Sequence, residues 1–295
     1  QLVKELEPGL NALFGLEYRQ YADETKEIFD TESSDRAFEE EVMLSGFGNA
    51  AVKPEGQGIQ FDDAQETFTA RYTNETIALA FAITEEAIED NLYDRLASRY
   101  TKALARSMAN TKQVKGAGVL NNGFLAAFAG GDGQPLFSNV HPTLSGTFSN
   151  MLATAADLNE TSLEQSLIDI AAMTDERGLL IAARGMKLVI PSALQFTADR
   201  LMNSQGQTGT ADNDINAIKN MGMIPQGYTL NHYLTNARRW FIKTDVPNGL
   251  KHFNRSPIKT TMEGDFDTGN VRYKARERYV FGFSDPRGAF GSGAL

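Results

Sequence analysis

The chain has 295 residues, 28 Lys and Arg against 38 Asp and Glu, a formal net charge of −10, and no cysteine. Without a thiol there is no disulfide framework, cysteine nucleophile, iron–sulfur cluster or Cys-based zinc site, and His141, His232 and His252 are too far apart in sequence to form a ligand motif. Hydrophobic residues at 41% and charged residues at 22% describe a folded chain, and no apolar run approaches the ~18 residues that would span a bilayer.

Residues 1–45 read as an arm, with dense charge and few apolar residues; Phe29, Phe38, Val42 and Leu44 anchor such an arm but do not make a core. The Gly-rich stretch after Ser45 is loop chemistry, and Thr67 to Thr84 alternates as one long strand, so residues 46–83 are expected to form an extended hairpin. A hairpin of that length is marginal in water alone and needs a neighbouring surface. Thr84 caps a helix with Glu85, Glu86, Glu89 and Asp90 near its positive end, and Ile88, Leu92, Leu96, Tyr100, Leu104 and Met108 form its apolar stripe to about Lys112, before Gly116 and Gly118. Residues 116–150 read as loops. Thr161 with Glu164 suggests a capping box for a helix ending at Gly178, with Leu163, Leu167, Ile170, Ala171 and Thr174 facing inward. Met186–Ile190 is a buried strand, Pro191 opens another helix, Ser204–Asp212 is polar, and a short helix lies around Asp214–Asn220. Strands follow at 228–233 and 239–244, then two β segments from Thr260 to Phe283 around the turn EGDFDTGN, and a GSGAL tail. The class is α+β.

The charge is uneven. Residues 1–90 hold 6 basic and 21 acidic residues, net −15, so the remainder is net +5. An acidic front and a basic rear would suit contact between copies of the chain.

No motif carries a reaction. There is no phosphate-cradling GxxxxGK[ST] and no GxSxG. GAGVLNNG (Gly116–Gly123) follows a helix rather than the strand a dinucleotide site requires, and the acids around Asp265 lack the spacing of a calcium loop. No catalytic, cofactor-binding or metal-binding residue is assigned, and the expectation is a structural protein rather than an enzyme.

The ordered segments SSDRAFEEEVMLSGFGNAAVKPEG, ARYTNETIALAFAITEEAIEDNLYDRLASRYTKALARSM and KGAGVLNNGF, then LFSNVHP, TDERG, KLVIPSALQFTADRLM, ARRWFIKTD and RYKARERYVFGFSDPRGAFGS, resemble the major capsid proteins of tailed bacteriophages, of the Hong Kong 97-type fold, nearest the Mu-like head subunits. The resemblance implies an N-terminal arm at 1–45, an E-loop hairpin at 46–83, a peripheral domain with a spine helix at 84–120, an axial domain at 121–250 and returning peripheral strands at 251–295. It implies hexamers and pentamers that tile an icosahedral shell around double-stranded DNA, assembled in the host cytoplasm, with portal and scaffolding or decoration proteins as partners and no membrane. A chain that begins at Gln1 fits family members whose N-terminal scaffolding segment is removed, and equally a start that is trimmed or disordered. The alternative within the same fold is an encapsulin-type nanocompartment. Candidate contacts between subunits are Glu39, Glu40, Glu41, Asp62 and Asp63, with Lys53 near the hairpin tip as an available crosslinking lysine.

Overall fold

A computed structural model of the chain describes residues 2–89, 93–207, 214–265 and 267–293. Its helices are α1 (Leu2–Gln20), α2 (Glu85–Glu89), α3 (Tyr93–Asn121), α4 (Glu160–Ala171), α5 (Gln195–Asn203) and α6 (Ala217–Met221). Its strands are β1 (Asp30–Ser33), β2 (Phe38–Leu44), β3 (Glu66–Thr73), β4 (Glu75–Ile83), β5 (His141–Thr143), β6 (Gly146–Phe148), β7 (Gly185–Ile190), β8 (Tyr228–Leu230), β9 (Trp240–Thr244), β10 (Leu250–Gly264), β11 (Val271–Phe283) and β12 (Ala289–Ser292).

One sheet has the order β1–β10–β11–β4. Residues alternate across it: Val271, Tyr273, Ala275 and Glu277 are buried, whereas Arg272, Lys274 and Arg276 are exposed. The buried face packs on α3, which at ~1.5 Å per residue is roughly 44 Å long. Ala97, Leu104, Ala105 and Met108 meet Ile83, Met262, Val271 and Tyr273 there. Thr84 caps the helical start through its hydroxyl, which accepts from Ala87 N at 3.4 Å. Of the expected stripe, Leu92 lies outside the described residues, and Tyr100 sits on the exposed flank, edge-on to Phe81 at 5.6 Å.

Three expectations for this half are corrected. Residues 2–20 contribute a helix to the core rather than a bare arm: Leu10 and Phe14 are buried, Tyr18 packs beside them, and the Asn11 side chain accepts from Thr260 Oγ1 at 2.6 Å and from Tyr273 OH at 2.9 Å. The helix α3 runs past Lys112 to Asn121, because its last turns have partners. Gln113 is buried and donates to Asp23 Oδ1 at 2.9 Å, and Ala117 and Leu120 are buried. At position 116 a Cβ would lie 2.5 Å from Thr25 Cγ2, so glycine permits the close approach. Gly116→Ala is therefore expected to destabilise by about 1–3 kcal/mol through overpacking, although alanine is intrinsically the better helix former. A rise in the urea midpoint of that variant would contradict the close-packing argument. Third, the long strand 67–84 breaks at Asn74, whose side-chain amide donates to Ser34 Oγ at 2.8 Å and to Arg36 O at 3.0 Å. Only β4 joins the large sheet; β3 pairs with β2, so the hairpin begins at Phe38 rather than at residue 46.

The second sheet, β12–β9–β7–β8, is covered by α4, α5 and α6 around Leu163, Leu167, Ile170, Leu188, Trp240 and Phe290. The α4 cap is Asn159 with Ser162, not Thr161 with Glu164; the helix ends at Ala171, which is exposed, and Gly178 (φ +82) serves a later turn. Gly291 and Ser292, expected in the tail, belong to β12 and pair with β9. Of the polar stretch 204–212, residues 208–212 lie outside the described residues. Between the two sheets sits a third cluster with Ile28, Phe29, Leu136, Phe137, Val189 and Phe241, in which Phe137 and Phe241 stack at 5.2 Å.

Candidate functional site

Antiparallel β2 and β3, from Phe38 opposite Thr73 to Leu44 opposite Glu66, form a separate two-stranded ribbon. The connection 45–65 is pinned at its base by Ser45 N to Gln65 O at 2.8 Å and by Gly48 N to Asp62 Oδ2 at 2.8 Å. Beyond that base it carries apolar side chains with nothing on them: Val52 is 93% exposed, Ile59 73% and Phe61 96%.

The ribbon meets the body through a small apolar contact and a polar chain. Tyr72 packs edge-on against Phe253 at 4.8 Å beside Ala70 and Val280, and Gly282 lets the Tyr72 ring approach, since a Cβ there would lie 2.6 Å from it. The Tyr72 hydroxyl is hydrogen-bonded to Ser284, Ser284 donates to Glu41, and Glu41 pairs with the buried Lys251, which also donates to Glu32 at 2.8 Å. Burial pulls the Lys251 ammonium down, but the hydrogen bonds to Glu32 and Glu41 outweigh it and hold its pKa above the usual lysine value.

The residues singled out by sequence all lie on or near this ribbon, but in different roles. Glu39 accepts from Ser34 Oγ at 2.8 Å, and Glu41 serves the internal link to Lys251. Glu40 makes an exposed pair with Arg71 at 3.8 Å. Asp62 sits 3.5 Å from Arg177, whose guanidinium also donates to the backbone oxygen of Asp63 at 2.7 Å. Lys53 is exposed in the connection. Much of the front-to-rear charge complementarity is satisfied within the chain, by Glu27 with Lys187, Asp30 with Lys243 at 2.9 Å, Glu32 and Glu41 with Lys251, and Glu75 with Lys115. The acidic front and basic rear, expected to suit contact between copies, thus meet in part inside one chain.

A buried polar cluster next to the ribbon was not apparent from sequence. His141 Nδ1 faces Asp132 Oδ2 at 2.6 Å, and its Nε2 faces Asn150 Oδ1 at 3.1 Å. The Asn150 amide donates to the carbonyls of Leu136, Pro286 and Ala289 at 2.6, 2.9 and 3.2 Å, which fixes its oxygen toward Ser138 N and His141. Arg287 donates to Glu176 at 2.9 Å, to Asp285 at 3.3 Å and to the Thr174 carbonyl at 2.7 Å. Burial pushes the Asp285 carboxyl up, with Arg287 opposing. His141 faces an amide oxygen and not a hydroxyl, so the cluster ties chain segments together instead of activating a nucleophile. The acids of EGDFDTGN organise their turn: Asp265 accepts from Thr268 Oγ1 at 2.9 Å and pairs with Arg272. A cavity of about 540 Å³ between α3 and β11 is lined mostly by apolar side chains, with the Glu75–Lys115 pair at its edge.

Residues 66–291 match the profile of a family described as phage capsid protein. No match was found among curated proteins. Among solved structures, the chain is similar to a virus-like particle from Pyrococcus furiosus (9% identity, 96% of this chain and 97% of that one, TM-score 0.55). It is also similar to the procapsid of bacteriophage JBD30 (16%, 99% and 74%, TM-score 0.55) and to the capsid of Myoviridae phage XM1 (11%, 91% and 89%, TM-score 0.52).

Proposed function

The chain belongs to the phage capsid protein family and has its Hong Kong 97-type α+β fold, and from that premise we propose that it assembles as hexamers and pentamers into an icosahedral head around double-stranded DNA. It is a structural component of a virion shell. In our reading α1, α3 and the first sheet form the peripheral domain, the second sheet with α4–α6 forms the axial domain, and the β2–β3 ribbon with its 45–65 connection is the E-loop that reaches a neighbour. Assembly in the host cytoplasm, with portal and scaffolding or decoration proteins as partners, belongs to the same proposal.

The observation that carries it is the ribbon. Val52, Ile59 and Phe61 are almost bare on a connection held only at its base, an arrangement that exposes apolar area with no return unless another subunit covers it. Heterologous contacts of that kind close into rings. The family match favours a phage head over a cellular nanocompartment, and the nucleic-acid content of purified particles separates the two.

Electron microscopy of the purified protein should reveal rings, capsomers or shells; a monodisperse 32.3 kDa species at every concentration would refute assembly. Surface charges allow a finer test. Reversal to Lys of the exposed residues Glu40, Asp63 and, in the 45–65 connection, Glu55 should lower the unfolding free energy of the subunit by no more than about 1 kcal/mol, the loss of the Glu40–Arg71 pair included. At about 0.5 kcal/mol per lost contact the particle threshold should rise about tenfold. Glu41→Lys should instead weaken the subunit itself, because Glu41 partners the buried Lys251. Sedimentation across a concentration series reads both effects, and an unchanged threshold for the triple variant would sink the assignment.

A further inference from the structure

The outer edge of the first sheet is unfinished. Strand β4 pairs with β11 on one side and closes the sheet order on the other. From Thr76 to Thr84 it carries no charge, and a long, uncharged edge with a row of unpaired backbone groups is a template for another strand. On its helical side lies an open groove of about 240 Å³ lined by Leu79, Phe81, Tyr100, Ala103 and Leu104. On its other face Ala78, Ala80 and Ala82 are exposed and stand opposite Arg276, Lys274 and Arg272 of β11.

Cations flank this edge on both sides. Lys274 and Arg276 are exposed, as are Arg99 and Arg106, one turn either side of Ala103 on α3. None of the four makes an ion pair among the described residues, in contrast to Lys187, Lys243 and Lys251, which have acidic partners within the chain. A strand that completes the sheet is therefore expected to be acidic, apolar on one face and polar on the other.

One segment of the chain has that pattern. In the 45–65 connection Ile59 and Phe61 alternate with Gln60 and Asp62, and Asp63 follows. In an extended chain residues two apart share a face, so Ile59 and Phe61 project together and Gln60 and Asp62 project oppositely. Backbone partners in the connection are confined to its base and to the turn at Pro54–Gln57. We propose that residues 59–63 of a neighbouring copy add to the free edge of β4, with Ile59 and Phe61 in the groove beside α3 and Asp62 over Lys274 and Arg276. This rests on the shell-assembly reading above and names the surface that receives the ribbon. The transfer gives up three exposed contacts of this segment, Gly48 N to Asp62 at 2.8 Å, Arg177 to the Asp63 carbonyl at 2.7 Å and Arg177 to Asp62 at 3.5 Å, each worth about 0–1 kcal/mol at an exposed site, and the strand pairing and apolar burial gained on β4 must exceed them. Pairing of two β4 edges with each other is disfavoured because it brings Arg99, Arg106, Lys274 and Arg276 of both copies together. The opposite edge, β1, already spends Asp30 and Glu32 on Lys243 and Lys251.

The chain has no cysteine, so introduced thiols report cleanly, and a disulfide forms only where Cα atoms come within about 4.4–6.8 Å. Phe61→Cys combined with Leu79→Cys, and Phe61→Cys combined with Phe81→Cys, should on mild oxidation of assembled particles give a ladder of covalent multimers that reductant abolishes. The single variants, and the double variants kept dilute and unassembled, should stay at the subunit mass. Particles formed at native yield without a ladder in either pairing would overturn the edge assignment and leave the assembly reading intact. A ladder from Leu79→Cys alone would mean that β4 edges pair with one another, and would overturn it too. If the unaltered chain forms no particles, the assembly reading falls and this inference falls with it.

Discussion

Replacement of Arg287 by methionine is expected to lower the unfolding free energy of the subunit by about 3–5 kcal/mol, the range for removing one partner of a buried ion pair. The guanidinium is buried with Glu176 at 2.9 Å and Asp285 at 3.3 Å, and it lies 4.1 Å from the centroid of the Phe148 ring. Methionine fills much of the volume but leaves two carboxyls without a cation. Glu176 has no reserve of partners, since its Oε2 already lacks one among the described residues. The site is also a crossing point: Arg287 Nε donates to the Thr174 carbonyl, and the Arg287 carbonyl accepts from Thr244 Oγ1 at 2.6 Å, so the 174–180 turn, β9 and the 286–288 turn are fastened together. If charge is the cause, Arg287→Met combined with Glu176→Gln should recover part of the loss, with a coupling of about 1–3 kcal/mol. Urea denaturation of the dilute subunit measures both variants. A single-variant loss below about 1 kcal/mol, or no recovery in the double variant, would contradict the account.

The elements that could be read from the amino-acid pattern are those whose partners lie in the pattern itself. Leu104 and Met108 of the α3 stripe, the alternation of β11 and Leu188–Ile190 of the MKLVI strand each declare an apolar face, and the structure buries those residues. What escaped depended on partners distant in sequence. The Leu10, Phe14 and Tyr18 spacing is helical, but it lies among charges, and its value comes from α3 and β10, more than eighty residues away. Gly116 and Gly118 look like the end of a helix. The tolerance of Gly116 there follows from a neighbour, Thr25, that no local rule anticipates.

The candidate contact residues illustrate the same limit. Glu39, Glu40 and Glu41 are consecutive acids, indistinguishable by composition. On a strand they alternate sides, so Glu41 reaches buried Lys251 while Glu40 stays with exposed Arg71. Uneven charge along a sequence therefore mixes two things: pairs that close inside one subunit, and surplus charge left for a neighbour. Only after subtraction of the internal pairs do Lys274, Arg276, Arg99 and Arg106 stand out as cations without an ion-pair partner among the described residues, beside a bare strand edge.

Acid should reveal His252. Its ring is stacked on Phe281 at 4.3 Å, meets Tyr279 edge-on at 5.9 Å, and contacts Thr31 Oγ1 at 3.2 Å, while Nε2 has no partner among the described residues. Burial, with the ammonium of Lys112 adding to it, pushes the imidazole down from the usual 6.5 to about 4; Lys26 acts in the same direction and Asp23 against it. The folded state thus disfavours the proton relative to the unfolded chain, so stability from this group is present above pH 6.5 and is lost as pH falls from 6.5 through about 4. A shift of this size corresponds to about 3 kcal/mol between pH 7 and pH 4. Glu277, whose carboxyl is raised by burial against the opposing Lys112, works in the other direction, because its stabilisation is present at low pH and fades as pH rises. The bulk pH profile therefore mixes both, and the difference between the unaltered chain and His252→Gln isolates the histidine. The unaltered chain should lose about 3 kcal/mol more than the variant between pH 7 and pH 4, by urea denaturation of dilute subunit at each pH. Parallel profiles would mean that His252 is charged in the folded state or reaches water there, against its placement beneath α3 between two aromatic rings.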